Sequence, residues 1–385
     1  MKFFHLSDLH IGKQLHHYNL KEDQQEILAR IITQVKKEMP KAVLISGDIY
    51  DSAVPSAEAV ALFDAFLTEL CAIEPFVTVL IIAGNHDSGK RLSYASRILQ
   101  NSHVYIAGLP PMREEEHLQK VTFRDEYGEA DFYLLPFTKP AHVRQLAEGI
   151  AATYHEAVQF ILSREEIDTK KRNVLLSHQF YVAGGSKPEE SDSEMHTVGG
   201  LDQVDISVLE KFDYAALGHI HRPQKMGRES VRYCGTPLQY SISEAGDKKS
   251  ITMVTLKEKG TVPVIEEIPL QPLHPVRKIS GRLHEILEGA KEACQDDYVS
   301  ITLTDDIDPY YPKERLEEIY HRILELRIDN ARTRKILDFS ETKTEIMHPK
   351  EAFMAFFEEM HDRKMTEEEV RKMEEIILKC QEGGE

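Results

Sequence analysis

Five short motifs in this chain each close an apolar run with side chains of metal-ligand type. They are Asp8-Leu9-His10, Gly47-Asp48-Ile49-Tyr50-Asp51, Gly84-Asn85-His86-Asp87, Ser177-His178 and Gly218-His219-Ile220-His221. A core histidine would fall inside an apolar run, whereas these fall at the exits, mostly beside glycine. That placement restricts the fold, because in open α/β sheets sites collect beyond the carboxyl ends of the strands. A lone Asp-x-His or Gly-Asn-His-Asp is most often a turn, and Asp48 alone would serve as a helix N-cap. Five in one order, all at strand exits, leave chance a poor explanation.

The runs between the motifs agree with such a sheet. Phe3–Leu6 reads as a short strand, and a helix from about Glu22 to Met39 places Ile27, Ile31 and Val35 on one face. Ala42–Ser46 is the next strand. Ser56–Cys71 is a helix with Val60, Phe63 and Leu67 in register, and Val77–Ala83 is rich in β-branched residues, as a buried parallel strand is. This βαβαβ order predicts a sheet with helices on its faces. Further strands are expected at Phe132–Leu135, Val174–Leu176 and Tyr214–Leu217, with an antiparallel finish at Val231–Cys234, Ile251–Leu256 and Val262–Glu267. Three prolines between Pro269 and Pro275 mark a linker. Beyond it, strands at Val276–Ile279, Val299–Leu303 and Arg334–Leu337, with helices near Leu283–Cys294 and Lys313–Leu324, predict a small α+β domain. The final segment, 348–385, reads as helical. Phe353, Phe356, Phe357 and Met360 form one apolar stripe, and Val370, Met373, Ile377 and Cys380 a second. Thr366 and Glu369 have capping-box spacing. The expected domains are therefore 1–270, 276–340 and 348–385.

Composition narrows the partners. Asp plus Glu exceed Lys plus Arg by 65 to 47, a net charge of −18. A phosphate-handling chain this acidic needs bound cations, a local basic patch or a basic partner. The four cysteines are scattered and lack zinc spacing, as expected of idle or buried thiols in a reducing cytoplasm. No apolar run reaches membrane-spanning length and no signal peptide is expected ahead of the first strand.

Carboxylate and imidazole ligands suit manganese, iron or zinc, and two cations about 3.5–4 Å apart are a standard arrangement for phosphate-ester cleavage. One ion is assigned to Asp8, His10, Asp48 and His221, the other to Asp48, Asn85, His178 and His219, with Asp48 as the bridge. His219 and His221 are two apart, so reaching both ions requires an irregular turn there. His86 is surplus to the ligand count and suits a general acid at the leaving oxygen, since imidazole titrates near neutrality. Asp51 is expected to hold its ring.

These residues resemble the calcineurin-like metallophosphoesterases over roughly the first 265 residues. Narrower features resemble the SbcD family, the nuclease subunits of bacterial SbcCD complexes. They are Phe4-His5-Leu6-Ser7-Asp8-Leu9-His10-Ile11-Gly12, Ser191-Asp192-Ser193-Glu194 with Val198-Gly199-Gly200, and Tyr233 to Ser241. The resemblance implies a β-sandwich flanked by helices, a capping domain and a C-terminal helical segment. It implies a manganese-dependent 3′–5′ double-strand exonuclease and single-strand or hairpin endonuclease acting in DNA repair, recombination and replication. It also implies the metal and acid roles above, homodimerisation, and partnership with SbcC, a coiled-coil ATPase, through the helices of 348–385. Those helices could instead dock on the chain's own cap. Dimer contacts would come from Leu62, Phe66, Tyr94 and Ile98, which could equally face the core. Lys13, His17, Lys90 and Arg91 are candidates for DNA phosphates or ordinary solvated side chains. Two other readings stand beside the nuclease: a stand-alone phosphomonoesterase or cyclic phosphodiesterase, and a catalytically silent scaffold bridging an ATPase.

Overall fold

Side chains alternate faces along a strand, so a strand buried on both sides must be covered twice. Lys2–Leu6 is such a strand. Phe3 packs between two sheets, while Phe4 and Leu6 pack under helices. In this computed structural model, which describes residues 1–144, 146, 153–194, 202–290, 294–330, 333, 353–354, 357, 363–366 and 369–373, that strand is central in a six-stranded sheet. The order is Val264–Pro269, Ser250–Thr255, Lys2–Leu6, Ala42–Ser46, Thr78–Ile82, Val104–Ala107. Lys2–Leu6 runs parallel to Ala42–Ser46, with Phe4 opposite Val43, and antiparallel to Ser250–Thr255, with Phe4 opposite Met253.

The second six-stranded sheet has the order Gln224–Met226, Arg228–Tyr233, Tyr214–Gly218, Arg172–His178, Gly128–Leu135, Gln119–Asp125. The two sheets face each other across Phe3, Leu44, Leu80, Phe132, Leu134, Val174, Leu176 and Tyr214, all fully buried. Helices Lys21–Glu38 and Ala57–Cys71 cover the outer face of the first sheet through Ile27, Ile31, Val35, Phe63 and Phe66. Helix Tyr154–Ser163 covers the second through Ala157, Val158 and Ile161. Ser56 Oγ caps the Ala57 helix by accepting from Ala59 N (3.2 Å), and Thr153 with Glu156 forms a capping box at the Tyr154 helix. The outcome is the expected helix-flanked sandwich.

Two details differ from expectation. The strand around Val231–Cys234 does not join the antiparallel finish. Arg228–Tyr233 belongs to the second sheet and runs parallel to Tyr214–Gly218, leaving Ser250–Thr255 and Val264–Pro269 as the antiparallel pair. Val231 and Tyr233 there fill the second sheet's outer core, which the short apolar run alone could not indicate. The helix expected over Lys313–Leu324 stops at Glu317, and Arg322–Ile328 is a strand. Short apolar runs fit either period, and here Ile323 and Leu326 pair with Val299 and Ile301 in a sheet.

The small domain is three parallel strands, Val276–Gly281, Tyr298–Leu303 and Arg322–Ile328, joined through helices Leu283–Gly289 and Pro312–Glu317. It is tied to the sandwich where Asp23 accepts from Tyr298 Oη (2.9 Å) and from His274 N (3.1 Å). Gln239 Oε1 accepts from Val276 N (2.7 Å). The strand expected at Arg334–Leu337, most of 348–385 and Val198-Gly199-Gly200 lie outside the described residues. Among the described residues, no helix is long and apolar enough to cross a membrane.

Candidate metal centre

All the candidate ligands meet at one end of the sandwich. Asp8 and His10 follow Lys2–Leu6, Asp48 follows Ala42–Ser46, and Asn85 follows Thr78–Ile82. From the second sheet, His178 ends Arg172–His178, and His219 and His221 follow Tyr214–Gly218. Four of the seven adopt left-handed backbone: Asp8 (φ 53°), His10 (42°), Asp48 (50°) and His219 (99°). Non-glycine residues rarely do so, and such strain gathers at functional sites. The turn at His219 is the irregularity that the His-x-His spacing required. Motif glycines allow close approach. A Cβ on Gly84 would lie 2.1 Å from Asp48 Oδ1, and one on Gly218 would lie 2.0 Å from Ser46 O.

Each buried ring is fixed through its outer nitrogen or its neighbours. His178 Nδ1–H donates to Ser46 O (2.7 Å), which leaves Nε2 facing Asn85 Oδ1 (3.0 Å), Asp48 Oδ2 (3.3 Å) and Asp8 Oδ1 (3.9 Å). His219 Nδ1 lies 2.9 Å from the same Asn85 oxygen. Ser193 Oγ donates its proton to Glu244 Oε1 (2.7 Å), so it accepts from His221 Nδ1–H (2.7 Å). His221 Nε2 is thereby bare, 3.3 Å from His10 Nε2. At that distance the two nitrogens share one proton, and a cation would take its place. Asp8, His10 and His221 bring ligand atoms within 4.8 Å of one another, and so do Asp8, Asp48 and His178. Asp48 Oδ2 stands between the groups, 3.3 Å from His178 Nε2 and 3.7 Å from His10 Nε2. The donor set therefore fits two oxygen- and nitrogen-ligated divalent cations.

The electrostatics agree. Burial acts to lower the His178 pKa, but the Asp48 carboxylate outweighs it, with Asp8 adding, and it rises to about 9. His10 is raised as well, against burial, by Asp51, Asp48 and Asp8. Burial, reinforced by His178, pushes His219 down to about 3, and burial also lowers His221. In the metal-free chain a proton thus resides on His178 beside Asp48, where a cation would take its place. Burial would raise Asp48, yet His178, His10 and His86 hold it well below the usual carboxylate range.

His86 differs from the other rings. Its Nδ1–H donates to the main-chain oxygen of Asp51 (2.8 Å), and its own N–H donates to Asp48 Oδ1 (2.9 Å). Nε2 then faces the centre, 4.0 Å from Asp48 Oδ2, and the side chain keeps 16% exposure where His10 keeps 1% and His178 none. Asp51 does hold this ring, but with its backbone rather than its carboxylate. The carboxylate instead accepts from Lys13 Nζ (2.9 Å) and approaches His10 Nδ1 at 3.4 Å, an ion-pair approach to a buried nitrogen without a hydrogen bond. Lys13 is therefore a paired group, not a free one. His17 lies tilted against Tyr18, with ring centroids 4.0 Å apart, while Lys90 and Arg91 are exposed. Of the four dimer candidates, Phe66 is core, Leu62 packs against the core, and Tyr94 (83%) and Ile98 (71%) are exposed.

Several supporting residues carry no role in the motif reading. Asp87 accepts from Gly84 N (2.9 Å), Tyr50 N (3.0 Å) and Ile49 N (3.1 Å), which clamps the Asp48 and Asn85 loops together. Burial, with the charge of Asp48, pushes its pKa up to about 6. Glu194 accepts from His221 N (2.7 Å), and Glu244 forms a fully buried ion pair with Lys249 (2.6 Å) behind Ser193. Asp87 stands inside a recognised motif, so its signal was present. Nothing local in the sequence connects Glu244 or Lys249 to the site.

This arrangement is that of a metallophosphoesterase. Residues 1–223 match the calcineurin-like phosphoesterase family, and the chain belongs to that family. Residues 272–361 match a second family, described as the type 5 capsule protein repressor C-terminal domain. Among similar proteins is the D subunit of the nuclease SbcCD from Staphylococcus epidermidis, 29% identical over 384 residues and 98% of each chain. Another is the D subunit of the same nuclease from Staphylococcus saprophyticus subsp. saprophyticus, 28% identical over 388 residues and the full length of both. A crystal structure of a dimetal phosphatase from Danio rerio aligns at 13% identity and TM-score 0.41, over 71% of this chain and 98% of that one. That likeness is too low to bear on function.

Proposed function

We propose that this chain is a two-metal DNA nuclease subunit of the SbcCD type, acting with an SbcC-type ATPase on DNA ends, hairpins and single strands. The observation that carries the reading is the end-to-end alignment with two proteins named as nuclease subunits, in a chain whose candidate ligands converge at one site. The first ion is assigned to Asp8, His10, Asp48 and His221, and the second to Asp48, Asn85, His178 and His219. Manganese is the favoured metal because the family resemblance implies it, and the donors suit iron or zinc as well. When bound, the two cations offset charge on the phosphate oxygens and supply the nucleophile.

The chain's own groups do the remaining work. Asp48 would be shared by the two ions, and its Oδ1 positions the His86 backbone. His86, anchored at Nδ1, presents Nε2 from the more exposed side of the site. There it can meet the leaving oxygen and give it a proton. Asp51 holds His86 with its carbonyl and approaches His10 with its carboxylate. The small domain would act as a cap and 348–385 as the ATPase-binding segment, in a cytoplasmic complex. Exposed Val60 (44%) on helix Ala57–Cys71, Ile98 on helix Ser96–Leu99 and Tyr94 in the turn before it support a homodimer through that surface.

The test assays the purified chain with Mn²⁺, with and without the ATPase, on hairpin DNA and on a chromogenic phosphate monoester. Cleavage of DNA well above monoester hydrolysis is expected. Fast monoester turnover with intact DNA would assign a phosphomonoesterase instead, and no hydrolysis of either would assign a scaffold.

A further inference from the structure

We propose that Ser193, backed by the buried Glu244–Lys249 pair, is a positioning residue that presets His221 for one of the two cations and leaves the other untouched. The inference rests on the metal-site reading above and extends it to residues that the motif reading gave no role.

The geometry forms a directed chain. Lys249 Nζ donates to Glu244 Oε2 (2.6 Å), to Thr236 Oγ1 (2.8 Å) and to His221 O (3.1 Å). Glu244 is thus held in place while its other oxygen, Oε1, accepts from Ser193 Oγ (2.7 Å) and Ser241 Oγ (3.0 Å). With its proton committed to Glu244, Ser193 Oγ presents a lone pair to the ring. That permits one tautomer of His221, with the proton on Nδ1 and Nε2 free to ligate. Histidine ligands commonly depend on such an outer partner, whose loss costs about 10–100-fold in metal affinity. The backbone is fixed by the same short segment, since Glu194 Oε1 accepts from His221 N (2.7 Å). Ser191 N in turn bonds Glu194 Oε2 (3.0 Å), and Asp192 N bonds Ser243 Oγ (2.9 Å). The Ser191–Glu194 turn therefore grips both the main chain and the ring of His221. The second ion's rings are held differently, His178 by the backbone oxygen of Ser46, so the device is specific to one ion.

Ser193→Ala removes the ring partner without stranding a charge, because Glu244 keeps Ser241 and Lys249. Manganese binding to the full chain is measured by titration calorimetry and by elemental analysis after dialysis against graded chelator. Wild type is expected to hold two ions. The variant should hold one at unchanged affinity and the other about 10–100-fold more weakly. Ser193→Thr, which restores a hydroxyl, should recover most of the loss. Thermal unfolding of the metal-free variant should match wild type. Two ions in wild type with unchanged affinities in Ser193→Ala would overturn the proposal alone, as would equal weakening of both ions. A wild-type chain binding fewer than two ions would overturn the metal reading together with it.

Discussion

His86 and Asp48 share a hydrogen bond, yet their loss should look different. His86→Ala should keep both ions and DNA binding while cleavage falls by about 10²–10⁴, the usual cost of one acid or base. Elemental analysis decides this, because loss of one ion per chain would make His86 a ligand. Asp48→Ala should lose both ions, since Oδ2 lies near a histidine of each group. Retention of one full-occupancy ion would deny the bridge. Protons and cations also compete for the His178 ring. Its folded pKa of about 9 exceeds the ordinary histidine value. In the metal-free chain its ion pair therefore stabilises fully below about pH 6.5, and that contribution fades as pH rises through about 9. Manganese affinity should move oppositely, rising by about tenfold per pH unit towards pH 9 if one proton is displaced. Calorimetry in buffers of different ionisation enthalpy would report that proton, and a flat profile would place it elsewhere. The seven proposed ligands could be picked out because they stand at or just beyond the ends of five strands. The roles of Ser193, which stands in a quoted motif, and of Glu244 could not be read, because they lie 28 residues from His221 and 51 from Ser193 and meet only after folding.

Between elements, Arg172 is the strongest single tie. It begins the strand Arg172–His178, is 1% exposed, and donates to Asp125 Oδ2 (3.0 Å), Gly128 O (2.7 Å) and the oxygens of Leu256 and Lys257. It thereby joins the hairpin of the second sheet to a strand end of the first, and the N-terminal amine joins Asp125 at 2.9 Å. Asp125 is half-buried, and without it Arg172 still has the oxygens of Gly128, Leu256 and Lys257. Asp125→Ala should therefore cost about 1.5–3 kcal/mol, the worth of a hydrogen bond to a charged group, read as a lowered denaturation midpoint. Burial works to raise the Asp125 pKa, but Arg172 and the amine hold it well below the usual carboxylate range. Its contribution is thus complete above about pH 4 and is lost as pH falls further. A variant whose stability deficit stays constant into strong acid would contradict this. Neither tie was visible beforehand, since a single arginine at a strand start resembles any solvated cation. Long apolar runs such as Thr78–Ile82 were legible as strands, whereas Arg322–Ile328 was mistaken in part for helix. The edge strand Gln119–Asp125 went unread. It buries only Val121 and Phe123 between exposed Lys120, Thr122 and Arg124, a period-two signal too short to stand out.

For the whole molecule, the open question is what the segment 348–385 serves. Its two apolar stripes are too short to be independently stable helices, so they must pack on something. Among the described residues, the core clusters of the sandwich and the small domain draw on none beyond 330, while Met373 within the segment is itself buried. A partner is the proposed surface for the stripes, and a basic or DNA-gripping partner would also offset the charge of −18. Deleting 348–385 should therefore separate partnership from chemistry. The truncated chain should remain folded and dimeric, bind manganese, and nick single-stranded DNA slowly. It should no longer co-purify with the SbcC-type ATPase, and ATP should no longer stimulate end processing. The rival account is that the segment packs on the small domain and stabilises the chain itself. Thermal unfolding with and without the segment separates the two. Truncation that leaves the midpoint within a few degrees but abolishes co-purification supports a clasp on the ATPase. A large fall in midpoint with ATPase binding intact would return these residues to ordinary core duty.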